Sequence, residues 1–148
     1  MSDAIRIEVD LAQWAKEMQR MERDRSDGLM KAAVAGATVI KGEMRVLIAH
    51  SPATGRVYMH GTIPHQASAG GEPPATDTGN LVNGITVQEG QRSKETAEAM
   101  VGPTAEYAEA LERGTSRMAA RPYMRPAVDN NMDRIATAVD AQLKKALR

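Results

Sequence analysis

Residues 51–78, SPATGRVYMHGTIPHQASAGGEPPATDT, constrain this chain more than any other stretch. They hold Pro52, Pro64, Pro73 and Pro74, together with Gly55, Gly61, Gly70 and Gly71. Proline disfavours helical geometry at the residue before it, so a helix arriving at Ser51-Pro52 must end near Ala49. A stretch this long without regular structure is uncommon in a compact domain, and is usually functional or disordered. Val57, Tyr58 and Met59 mark a short candidate strand, with a return after Gly61-Thr62. The segment reads as an extended arm or long loop, mobile in a free subunit. With 148 residues in all, the chain makes one domain, 1–148, and 51–78 projects from it.

On the N-terminal side, Ile5, Ile7 and Val9 alternate with Arg6 and Glu8, the pattern of a half-buried strand. Asp10 is placed as an N-cap, with Gln13 three residues on. Leu11, Trp14, Ala15, Met18 and Met21 then form an apolar stripe over a helix to about Asp24. Ser26 and Asp27 cap a second, longer helix that ends near Ala49.

Beyond the arm, Asp77-Thr78 cap one helical turn over Gly79–Val82. Ile85 and Val87 alternate with polar residues, Glu89–Ser93 is a turn, and Ala97, Ala99 and Val101 supply an antiparallel partner ending at Pro103. Thr104 caps a short helix that turns Tyr107, Ala108 and Leu111 inward and Glu106, Glu109 and Glu112 to water. Gly114 stops it. A last helix runs from about Tyr123 to Leu147. The expected fold is α+β: a small, mainly antiparallel sheet with long helices packed on one face and a long projecting loop.

Composition narrows the function. Nineteen Lys and Arg balance nineteen Asp and Glu, which disfavours a general nucleic-acid binder. With no Phe, one Trp and three Tyr, a base-stacking platform has little to build with. Cysteine is absent, so no disulfide framework or thiolate metal site is expected. The start MSDAIRIEVD lacks the features of a signal peptide, and AAVAGATVI is too short to span a bilayer. A soluble cytoplasmic product with no membrane partner is expected.

Catalytic signals are weak. His60 and His65 lie in the arm without a recognised ligand pattern, leaving a divalent metal site or surface polar residues, the latter favoured. ASAGGEPP is no phosphate-binding loop, and Ser51 and Ser68 sit in no nucleophile elbow. No enzyme activity and no cofactor are expected. Arg113, Arg117, Arg121 and Arg125 recur every four residues with no acid between them. They mark either a solvated loop or a docking loop whose Met118, Tyr123 and Met124 await another subunit. Arginine and methionine are favoured at protein interfaces.

Two segments carry a family likeness. GRVYMHGTIPHQASAGGEPPATDTGNLVNGI resembles the loop-plus-strand segment of the HK97 gp10-like family of tailed bacteriophages, with its GEPPA-DTG-L-SI pattern. YAEALERGTSRMAARPYMRPAV resembles that family's second signature, in the same order. Asn83-Gly84 and Met59 depart from the usual pattern. The resemblance implies a structural virion protein, made in the host cytoplasm, that forms a ring at the head–tail junction. Its partners would be further copies of itself (six to match a tail tube), other neck or connector proteins and the tail tube protein. Genome DNA would pass through without specific binding. A tail terminator is the alternative within this reading; a nucleic-acid-binding module, a hydrolase and an assembly chaperone are others. The interface candidates are Val57, Tyr58, Met59, His60 and His65 on the arm, with Arg113, Arg117, Met118, Arg121, Tyr123, Met124 and Arg125 on the loop.

Overall fold

A computed structural model describes residues 10–147; the strand expected at Ile5–Val9 lies outside the described residues. Asp10 caps the first helix as expected, its carboxylate accepting from the amides of Ala12 (2.9 Å) and Gln13 (3.1 Å). That helix does not stop at Asp24. One continuous helix, α1 (Leu11–Ala49, 39 residues), replaces the two expected. The stretch Ser26-Asp27-Gly28 contains no proline, and its would-be capping side chains have tertiary partners instead. Ser26 Oγ donates to the Ser93 carbonyl (3.1 Å), and Asp27 accepts from Arg92 Nη1 (2.6 Å). Local capping preference thus yields to long-range contacts. The C-terminal end at Ala49 agrees with the Ser51-Pro52 signal.

The arm is not structureless. It folds as an antiparallel hairpin, β1 (Val57–His60) and β2 (Ile63–Gln66), reversing at Gly61-Thr62 as expected. A helical turn, α2 (Asn80–Asn83), leads to the second hairpin, β3 (Ile85–Arg92) and β4 (Ala97–Pro103), which pairs Val87 with Val101 and Glu89 with Ala99. Its turn lies beyond the expected Glu89–Ser93. The strand absorbs Gly90 and Gln91 as a register irregularity before Arg92, and reversal occurs at Ser93–Thr96. There Ser93 Oγ accepts from the amides of Glu95 (3.1 Å) and Thr96 (3.0 Å).

Two short helices, α3 (Ala108–Arg113) and α4 (Met124–Asp129), and a longer one, α5 (Met132–Ala146), complete the described residues. Thr104 does not cap α3, because its amide donates to the Gly84 carbonyl (3.0 Å) and prolongs the hairpin. The single last helix expected from Tyr123 is broken at Asn130-Asn131. Asn131 Nδ2 turns back to the Ala127 carbonyl (3.1 Å), a competition with helix that asparagine side chains favour.

The fold is α+β, with two separate two-stranded antiparallel sheets. Its core lies around the C-terminal half of α1, where Met44 and Ile48 meet Leu81, Ile85, Ala108, Tyr123 and Ala127. Farther toward the N-terminus, α5 crosses α1 at small residues: a Cβ on Gly28 would lie 2.3 Å from the Ala146 Cβ, and one on Gly36 3.0 Å from Val139. Among the described residues, no helix is long and apolar enough to cross a membrane.

Candidate interface of the arm and the arginine loop

The two segments singled out in the sequence, far apart along the chain, are joined at their bases. Gly114 ends α3 with φ 74°, a left-handed value that favours glycine, and the backbone turns back on itself. Thr115 and Met118 then close a small loop, the Thr115 amide donating to the Met118 carbonyl (2.8 Å). From the far side of this loop, the Ala120 carbonyl accepts from the Gly71 amide of the arm (2.8 Å). Arg121 completes the junction by donating through Nε to the Ser68 carbonyl (3.2 Å), with Nη1 beside Met118 Sδ (3.2 Å).

The four arginines therefore do not act as one set. Arg121 is half-buried and internal. Arg113 pairs with Glu109 (3.3 Å) and Arg125 with Asp129 (3.3 Å), both exposed contacts one helical turn apart. Such pairs contribute little to stability, and their guanidinium groups remain accessible. Arg117, at the loop tip, is exposed and its side chain has no partner among the described residues.

Tyr123 is a correction to the docking-loop reading: it is fully buried in the core. Its hydroxyl has no hydrogen-bond partner among the described residues. Burial, then the Glu112 charge and Tyr107, push its pKa well up, so the phenol stays neutral. Met118 and Met124 are half-buried rather than free. The four-residue spacing of the arginines could not reveal this, because the deciding partner is Glu112, which was expected to face water. Its carboxylate accepts from the amides of Tyr123 (2.8 Å), Met124 (2.9 Å) and Arg125 (2.9 Å). It thereby caps α4 from another helix and turns Tyr123 inward.

The hairpin β1–β2 presents the remaining candidates. Val57, Tyr58, Met59 and Ile63 are all exposed. Asp77, expected as a helix cap, fastens the hairpin instead. It accepts from Tyr58 OH (3.0 Å) and His60 Nδ1 (2.8 Å), with His65 Nδ1 at 3.9 Å. The Tyr58 and His65 rings meet edge to face at 5.1 Å. The hydrogen bond from His60 is the main cause holding the Asp77 carboxyl below its ordinary pKa. Nearer the root, Glu72 accepts from the amides of Thr54 (3.0 Å) and Ala69 (2.8 Å) and from the Thr54 hydroxyl. Those contacts, Thr54 first, lower its pKa as well.

Between hairpin and body lies a cleft of about 240 Å³, with Tyr58, His65, Asp77 and Arg121 around apolar Ile48 and Leu81. Among the described residues, no three His, Cys, Asp or Glu side chains converge as a metal site. Comparison with family models, with curated proteins and with solved structures finds no match. Of the polar groups of the cleft, Tyr58 and Asp77 fasten the hairpin and Arg121 ties the arm to the loop. On the face turned away from Asp77 the braced hairpin holds out Val57, Met59 and Pro64, all exposed, with Ile63 exposed near its turn and Arg117 exposed on the neighbouring loop.

Proposed function

We propose that this protein is a structural subunit of a tailed-phage virion that assembles as a ring, of six copies to match a tail tube, at the head–tail junction. The observation that carries the reading is the exposed apolar hairpin braced against the arginine loop. Large apolar side chains displayed together on a supported projection mark contact with another protein. Resemblance of both segments to the HK97 gp10-like family supplies the kind of partner: further copies of the chain, connector proteins on the head side and the tube protein on the tail side. A closed ring is built from heterologous contacts, one patch on each subunit meeting a different patch on the next. The passing genome needs no specific site.

Imaging of assembled particles, with the copy number per particle from mass spectrometry, tests the proposal. A ring of this protein in the neck supports it, and its position separates a head-side completion protein from a tail terminator. Particles that lack the protein would instead identify an assembly factor that leaves before maturation.

A further inference from the structure

We infer that the N-terminal spur of α1 seats in an apolar groove on a neighbouring copy of this chain, joining subunits head to tail. The inference rests on the ring reading for the presence of neighbouring copies, but names the surfaces on its own evidence. Every residue from Asp10 to Arg25 is exposed. Within that stretch, Leu11, Trp14, Met18 and Met21 follow the three-and-four spacing of a helix-packing seam, and Trp14 is 59% exposed. At 100° per residue, this stripe continues the face that meets α5 at Gly28 and Gly36, beyond the point where α5 ends.

Charge decides what covers it. Glu17 and Asp24, seven residues apart, give the stripe an acidic edge, Asp24 lying 3.9 Å from Arg20, and Arg25 closes the stripe after Met21. The Asp10 carboxylate is engaged as the helix cap. Two spurs laid antiparallel, with Leu11 against Met21, would oppose Glu17 to its own copy. Laid parallel, they would oppose Glu17 to Glu22. Self-pairing is therefore disfavoured on either arrangement.

A complementary seat lies at the other end of the same rod. Between α1, β4 and α4 is a groove of about 610 Å³ with Ile40, Met44, Val101 and Val128 in its wall. Arg113 and Arg125 stand on its rim, their side chains 78% and 85% exposed. Their present partners, Glu109 and Asp129, are themselves exposed and easily exchanged for an incoming carboxylate. Glu112 and Asp129 also line the groove; Glu112 is engaged with the α4 amides, and Asp129 would turn from Arg125 to solvent as an incoming carboxylate takes its place. An amphipathic helix with an acidic edge fits such a groove through apolar anchors and rim pairs. Met18 and Met44 are about 39 Å apart along one helix at 1.5 Å per residue, so a chain cannot fill its own groove. The contact is between copies and is heterologous, as ring closure requires.

The natural chain has no cysteine, which makes trapping specific. Met18→Cys in one full-length chain and Val128→Cys in another should give a mixed disulfide on oxidation at high concentration. Association measured by light scattering should fall at least about tenfold with Trp14→Glu plus Met18→Glu, as expected at a tryptophan anchor. It should fall likewise with Arg113→Glu plus Arg125→Glu. Mixing those two double variants should restore a one-to-one dimer that cannot grow, because each retains one intact half. Oligomers without the mixed disulfide would overturn the inference and leave the ring reading standing. A Met18→Cys homodimer would show spur pairing instead, and also overturn it. A monomer that traps nothing overturns it too, the ring then being decided by particle imaging alone.

Discussion

Glu112 holds three successive amides with one carboxylate, at the point where the arginine loop becomes α4. Hydrogen bonds to a charged acceptor contribute more than neutral ones, and a helix N-terminus favours negative charge. Glu112→Gln should therefore cost about 1 kcal/mol, and Glu112→Ala about 2 kcal/mol, in urea unfolding. Tyr123 makes the opposite prediction. Its hydroxyl is buried without a partner among the described residues, so Tyr123→Phe should be neutral or stabilising by up to about 1 kcal/mol. A Phe variant of unchanged stability that fails to assemble would return Tyr123 to the docking surface.

At the scale of elements, the long helix shows how far local signals reach. The apolar and small positions of α1 were legible throughout, as were its Asp10 cap and its end before Pro52. The break placed at Ser26-Asp27 was wrong, because the partners that occupy those side chains, Arg92 and Ser93, lie more than sixty residues away. The pairing of β3 with β4 was legible from alternation, though not the place of its turn. Of the first hairpin only a candidate strand at Val57–Met59 and the return at Gly61-Thr62 were, within a segment expected to be a long loop. Glu112, Asp77 and Glu72, which fasten loop and arm, carried no periodic mark; each was an ordinary acid until the fold brought donors to it. Two glycines in α1 test the packing directly. Gly42 has nothing within 4 Å of an added Cβ, so Gly42→Ala should stabilise by about 1 kcal/mol. Gly28→Ala meets Ala146 and should instead lose about 1–3 kcal/mol by forcing α5 away. Thermal unfolding of the pair gives both signs.

The hairpin adds a pH prediction. Asp77 has its pKa lowered from an ordinary 3.8 by His60 and Tyr58, so its ionised form favours the fastened hairpin. That contribution is complete above about pH 5 and is lost as pH falls through the lowered value. NMR shifts of the β1–β2 amides should move in that acid window, and Asp77→Asn should show the acid-form shifts already at neutral pH. Shifts insensitive to both changes would mean that Asp77 does not fasten the hairpin.

For the whole molecule, the division of labour among the arginines matters most. Arg121 joins the arm to the loop, whereas Arg117 faces solvent. Arg121→Gln should lower stability by about 1–2 kcal/mol, through a lost charged hydrogen bond, and loosen the arm. Arg117→Gln should leave the fold unchanged within about 0.5 kcal/mol; under the proposed ring function its effect should show only in tail attachment. Arg117→Gln particles that join tails normally but eject DNA at an altered rate would place this side chain on the channel wall.

The single rod of α1 also makes the molecule a gauge. Its 39 residues span about 58 Å at 1.5 Å per residue. A tilt of roughly 5° at one end displaces the other by about 5 Å over that length. Whatever the exposed end grips is therefore positioned by how firmly the rod is clamped, and the clamp is the close crossing with α5 at Gly28 and Gly36. A methyl group added at that crossing changes the angle at which one part reaches the next. The diameter of anything assembled from such parts is then written in two glycines buried against α5.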